Sequence, residues 1–137
     1  NVLDKKDIKN KVKFISDLTS REIAELYAES TIAISPSVYE GFGFPAGEAM
    51  SCGIPLISTN GGSLPEVVGN SGIIVPHSNP NELRKAIKEL LLSPEKRKEL
   101  SEKGRKRVLE KFTWKRAAKE LVEVYREAIS NADNRSR

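Results

Sequence analysis

The chain has 137 residues, 38% hydrophobic and 31% charged, enough for one domain with a real core and short for two. Its single cysteine, Cys52, excludes an internal disulfide and fits a reducing compartment; its single histidine, His77, argues against imidazole triads and metal sites; no run of eighteen apolar residues offers a membrane span. The net charge of +4 is concentrated in residues 95–127, where twelve Lys or Arg face seven Asp or Glu. That block suits either an anionic partner, such as nucleic acid or a membrane surface, or a pair of solvated helices with interleaved charges such as Glu99 and Lys103; the mixed signs favour the helices.

In chain order, "KVKFI" (Lys11–Ile15) alternates and predicts a short strand. "TSREIAELYAES" carries a capping box, Thr19 with Glu22, and apolar residues Ile23, Leu26 and Tyr27 at helical spacing. "TIAIS" (Thr31–Ser35) predicts a buried parallel strand, followed by a loop holding Glu40. Pro45 is placed to open a helix that runs to Cys52 and stops at Gly53. "PLIST" (Pro55–Thr59) predicts a third strand, "NGGSLPE" a breaker-rich loop, and "GIIV" (Gly72–Val75) a fourth strand. Helices follow from Asn79 to Leu92, from Ser93 to Lys111 and from Trp114 to about Ser130, with a frayed tail over 131–137.

This alternation predicts an α/β fold with a Rossmann-like parallel sheet and C-terminal helices. Ligands of such sheets bind beyond the carboxyl ends of the strands, where the Tyr39–Gly47 loop and "TNGGSLPE" both fall. Glu40 and Glu48 bracket a turn rich in glycine and phenylalanine. The amides of Phe44, Ala46 and Gly47 at the helix start offer a seat for a phosphate or diphosphate, with Glu48 in the first turn. Carboxylates are poor phosphate ligands but accept hydrogen bonds from paired hydroxyls, as acidic residues do from ribose. A nucleotide-sugar carries hydroxyls on both sides of a diphosphate. The residues equally allow a plain alternative, with Glu48 complementing the helix dipole and Glu40 a loop acid.

The segment "SPSVYEGFGFPAGEAMSCGIPLISTNGGSLPEVVG" resembles the donor site of the group 1 (family 4) glycosyltransferases, which are retaining enzymes of the GT-B fold. Their signature, two glutamates seven residues apart around a Gly-Phe-Gly turn, is matched by Glu40 and Glu48, and flanking matches extend over residues 8–130. The resemblance implies that Glu40 is catalytic, contacting and orienting the transferred sugar. It implies that the backbone of Gly41, Phe42, Gly43, Phe44 and Pro45 lines the sugar and diphosphate, and that Glu48 holds the ribose. Ser16, Asp17 and Leu18 would lie against the base. Ser16 stands where the family usually has glycine, which leaves UDP, GDP and ADP donors open. Gly61 and Gly62 would shape the rim near the sugar. No metal is expected, and the chain has no Asp-x-Asp motif. His77 and Cys52 are read as structural.

The resemblance also implies that this is the carboxyl-terminal part of a donor-binding domain, lacking its first two strands and the N-terminal acceptor domain. The strand at Lys11–Ile15 must then pair directly with the next one or leave edges open. The final helix, which in the family crosses back to the N-terminal domain, must cover the sheet or leave Trp114, Leu121, Val122 and Tyr125 exposed. The expected activity is transfer of a sugar from a nucleotide diphosphate-sugar to a glycan or lipid acceptor in polysaccharide biosynthesis, without turnover by this chain alone. Expected partners are the donor, the acceptor through the N-terminal domain, no nucleic acid, and peripheral contact with a membrane from the cytoplasmic side. Two alternatives remain: an epimerase or phosphorylase on the same fold, and a non-catalytic basic interaction module.

Overall fold

The computed structural model describes residues 8–135. Three parallel strands, β1 (Ala33–Ser35), β2 (Leu56–Thr59) and β3 (Ile73–Val75), lie in that order in one sheet. Ala33 is in register with Leu56 and Ser35 with Ser58; Ile57 is in register with Ile73 and Thr59 with Val75. The central strand β2 is buried along its whole length, its polar Ser58 and Thr59 included. The pleat sends Leu56 and Ile57 into opposite layers.

The described residues form six helices: α1 (Ser20–Glu29), α2 (Phe44–Ser51), α3 (Leu64–Val68), α4 (Pro80–Leu92), α5 (Pro94–Lys111) and α6 (Trp114–Arg135). One layer joins Ala46, Ala49 and Met50 of α2 to Leu64 and Val68 of α3, with Ala33 and Leu56 from the sheet. The other joins Ile57 and Val75 to Ala86 and Leu90 of α4 and Leu100 of α5. Side-chain caps set four helix starts, that of α6 through Thr113, which accepts from the Arg116 amide at 3.3 Å. Thr19 and Glu22 form the complete capping box of α1, Asn79 accepts from the Glu82 amide at 3.2 Å, and Ser93 accepts from the Lys96 amide at 3.3 Å.

Two elements differ from the sequence expectation. Residues 9–11 form a 3-10 turn, and Val12–Ile15 join no strand. Extended residues become a strand only when a neighbour completes their ladder. Here Phe14 is left 83% exposed, and β1 stays an edge strand with Ile34 42% exposed. The open edge, not direct pairing, is the outcome. The second difference is α3, which forms inside the segment read as a loop. Burial of Leu64, Val67 and Val68 holds five residues helical that local propensity alone would not. The apolar residues of α6 stay exposed as well, Trp114 to 88%, and the helix continues through Arg135.

The basic block has a structural role. The last carbonyls of a helix lack intrahelical donors and carry the negative end of its dipole. Arg97 donates to the carbonyls of Leu90 and Leu91 at the end of α4. Arg105 reaches Ser51 at the end of α2, at 3.2 Å. Arg107 donates to Val67 at 2.8 Å and Glu66 at 2.7 Å, near the end of α3. Arg116 does the same for Glu110 of α5, at 2.8 Å. Lys103 and Lys119 instead pair with Glu99 and Glu123 one turn away. Arg107→Met is expected to lower the unfolding free energy by about 2 kcal/mol, and Arg105→Met, with one long exposed bond, by less than about 1 kcal/mol. Urea denaturation of the two variants checks the difference, and equal losses would refute this ranking.

Candidate functional site

The strands end at Ser35, Thr59 and Val75, and two loops meet beyond them. Residues 36–43 lie directly on residues 60–63, backbone against backbone. A Cβ on Gly61 would stand 2.4 Å from the Val38 carbonyl oxygen, and one on Gly62, at φ +60°, 2.3 Å from that of Glu40. Only glycine permits this contact. Hydrogen bonds fasten it. The Thr59 hydroxyl donates to the Ser37 carbonyl, and the Ser63 amide and hydroxyl both donate to the Glu40 carbonyl at 3.0 Å. Gly61 and Gly62 therefore form the seat of the Glu40 loop.

Glu40 is half-buried, and its Oε1 accepts from the Ser37 hydroxyl at 2.7 Å. Gly43 then turns the chain at φ +92°, under the side chain of Leu64, and caps α2. The helix begins at Phe44, so Pro45 is its second residue and Glu48 its fifth, one turn in. The expected amide seat moves accordingly. The amides of Ala46 and Gly47 both donate to the Gly43 carbonyl at 3.1 Å, which removes them as ligand donors. Among the described residues, the amides of Gly41, Phe42, Gly43 and Phe44 take no backbone or side-chain acceptor. Four successive amides between the two glutamates thus lack a protein acceptor, those of Gly41, Phe42 and Phe44 on exposed residues and that of Gly43 on a buried one, and both Gly41 and Gly47 face open space.

Glu48 is exposed, and no described residue donates to its carboxylate. It stands on a ridge between two cavities. On one side, Ser20, Ile23, Ala24 and Tyr27 of α1 enclose about 150 Å³ with Glu48, Ser51 and Cys52. The Tyr27 hydroxyl donates to the Pro45 carbonyl at 3.3 Å, and burial, then the Glu48 charge and Cys52, push its pKa above the usual tyrosine value. On the other side lies an apolar groove of about 430 Å³ lined by Phe42, Phe44, Phe112 and Trp114. Phe42 packs against Phe44 at 4.9 Å between centroids and edge-on against Phe112 at 5.8 Å.

Ser16, Asp17 and Leu18 form the turn before the Thr19 cap. Ser16 donates to Asp17 at 2.9 Å, Asp17 is left-handed at φ +59°, and no hydrogen bond ties the three to Glu40 or Glu48. His77 sits in an exposed turn, its amide bonded to Asn60 at 2.8 Å, and Cys52 packs half-buried against the core. Tyr27, which the sequence marks only as a helix-face residue, and Ser37, Thr59 and Ser63, which it does not mark, belong to the site; the offset of Ser37, three residues before Glu40, is the one local signal. Among the described residues, no group of three His, Cys, Asp or Glu could hold a metal ion, and no helix is long and apolar enough to cross a membrane. Gly62→Ala is expected to cost about 1–3 kcal/mol and to shift the amide resonances of residues 37–43, since both φ and contact distance exclude a Cβ. An unchanged spectrum would refute the seat.

The profile of the family described as "Glycosyl transferases group 1" matches residues 1–107. The MMP alpha-(1->4)-mannosyltransferase of Mycolicibacterium hassiacum is 41% identical over 118 residues, which is 84% of this chain and 29% of that protein. The D-inositol 3-phosphate glycosyltransferase of Streptomyces bingchenggensis is 36% identical over 120 residues, 86% of this chain and 26% of that protein. Sucrose-phosphate synthase from Thermosynechococcus elongatus superposes with a TM-score of 0.84 at 30% identity, over 95% of this chain and 33% of that one. Anabaena Alr3699/HepE, solved in complex with UDP-glucose, shares the fold at a TM-score of 0.82 and 21% identity, over 91% of this chain and 35% of that one. The chain spans about a third or less of the length of these relatives. With the family profile covering most of its length, and with the parallel sheet of a GT-B carboxyl-terminal domain, this chain belongs to the group 1 glycosyl transferases.

Proposed function

We propose that the chain is the donor-binding half of a retaining glycosyltransferase, which moves a sugar from a nucleotide diphosphate-sugar to a glycan or lipid acceptor. The observation that carries this reading is the row of free amides from Gly41 to Phe44 with a carboxylate at either end. Amides suit the diphosphate and carboxylates suit hydroxyls, so one extended ligand with an anionic middle and hydroxylated ends satisfies all of them. Glu48, with no protein donor, takes the ribose hydroxyls. Glu40, fixed by the loop contact, takes hydroxyls of the sugar and orients it for reaction. Ser16, Asp17 and Leu18, ahead of α1, approach the base, while the Pro45 carbonyl, occupied by Tyr27, helps to hold α1 beside Glu48.

The chemical contribution of these residues is positioning and electrostatics. As the bond between sugar and diphosphate breaks, negative charge gathers on the departing phosphate. Amides with no protein acceptor to give up stabilise that charge at little cost. The acceptor and the remaining cationic contacts come from parts of the protein beyond these residues, so the chain alone binds donor without turnover. The complex of Anabaena Alr3699/HepE with UDP-glucose supports the ligand class for the shared fold.

Isothermal titration of the chain with UDP, GDP and ADP and with their glucose or mannose conjugates tests the assignment. Glu48→Ala is expected to weaken nucleoside diphosphate and conjugate alike, by about tenfold (about 1.4 kcal/mol). Glu40→Ala is expected to weaken only the conjugate. Undiminished affinity in a folded Glu48→Ala variant would overturn the ribose assignment.

A further inference from the structure

We infer that Ser37 is the positioning residue for Glu40, holding one carboxylate oxygen so that the other is presented to the sugar. This rests on the assignment of Glu40 to the sugar and deepens it. The Ser37 hydroxyl donates to Glu40 Oε1 at 2.7 Å in a part-buried setting. No other described residue donates to the Glu40 side chain, so Oε2 remains available. A single bond of this kind would steady a carboxylate little if its donor could move. Here the donor is itself pinned, because the Thr59 hydroxyl donates to the Ser37 carbonyl. The acceptor's backbone is pinned too, by the amide and hydroxyl of Ser63 on the Glu40 carbonyl.

Thr59 ends β2, and Ser63 immediately precedes α3. The carboxylate is thereby tied to the buried central strand through two residues. A glutamate side chain free in a loop would lose rotamer entropy on meeting the sugar, and one already held loses less. Because hydrogen bonds to charged acceptors are shorter and stronger than neutral ones, a hydroxyl suffices for the purpose. The expected consequence is selective: Ser37 matters for the sugar end of the ligand and leaves the nucleoside diphosphate untouched.

The test uses the chain without ligand and then with UDP-glucose, GDP-mannose and ADP-glucose, each against its nucleoside diphosphate. Heteronuclear couplings that report the Glu40 χ1 and χ2 angles should show one rotamer in the native chain and in Ser37→Thr, and averaging in Ser37→Ala. In titrations, Ser37→Ala should lower affinity for the bound conjugate by about fivefold, leave the diphosphate unchanged, and have no further effect in a Glu40→Ala background. Averaged couplings in the native chain, equal losses for conjugate and diphosphate, or additive effects of the two substitutions would overturn the role of Ser37 while leaving donor binding intact. Binding of none of the three probes by a chain with a fixed Glu40 would instead overturn the sugar assignment, and Ser37's part in it.

Discussion

The site depends on one contact, the backbone of Glu40 resting on Gly62 at a distance no side-chain-bearing residue allows. Everything that gives Glu40 a defined position follows from it. Among the described residues, the loop after β1 has no strand on its outer side, and its backbone rests on the loop after β2. β2 is the central, wholly buried strand, and a loop anchored there inherits its rigidity. Thr59 and Ser63, one at each end of the 60–62 turn, supply the bonds that make the contact permanent. Gly43 then reverses the chain over Leu64 and starts α2, which carries Glu48. A single close approach therefore sets the course of the chain that carries both carboxylates.

The second organising device is α5. Its arginines reach the carbonyl ends of three helices, α2, α3 and α4, and Arg116 of α6 closes α5 in the same way. Eight of the twelve Lys and Arg in residues 95–127 are thus engaged at helix ends or in ion pairs with glutamates. Arg107 links this device to the site, since its guanidinium also lies 5.8 Å from the centroid of Phe112, which packs on Phe42. The junction of α5 and α6 consequently leans on the Gly-Phe-Gly turn.

Much of the architecture was legible because it rests on local signals. The Thr19–Glu22 box and the Asn79 and Ser93 caps each specify an element without reference to the rest of the fold. The misses are the places where tertiary context decides. Val12–Ile15 has the composition of a strand, yet a strand exists only with a partner. Leu64–Val68 follows two glycines and contains a proline, yet burial makes it helical. At the site, the spacing of Glu40 and Glu48 was visible, and of the expected free amides Phe44 holds while Ala46 and Gly47 do not. Their location turns on Gly43, whose left-handed φ starts the helix one residue earlier and spends its carbonyl on Ala46 and Gly47. The clamp of Thr59, Ser37 and Ser63 spans 22 and 23 residues of sequence, and no local pattern reveals it.

The proposed function places an anion on the amides of Gly41 to Phe44, between two hydroxyl-binding carboxylates. Amide NMR spectra recorded while the chain is titrated with UDP, GDP and ADP test it most directly. The largest downfield amide-proton shifts are expected at Gly41, Phe42, Gly43 and Phe44, with Ala46 and Gly47, already bonded to Gly43, moving less. Saturable shifts confined to the arginine- and lysine-bearing faces of α5 and α6 would contradict it, and would make the basic helices, not the glutamate-bracketed turn, the anion site.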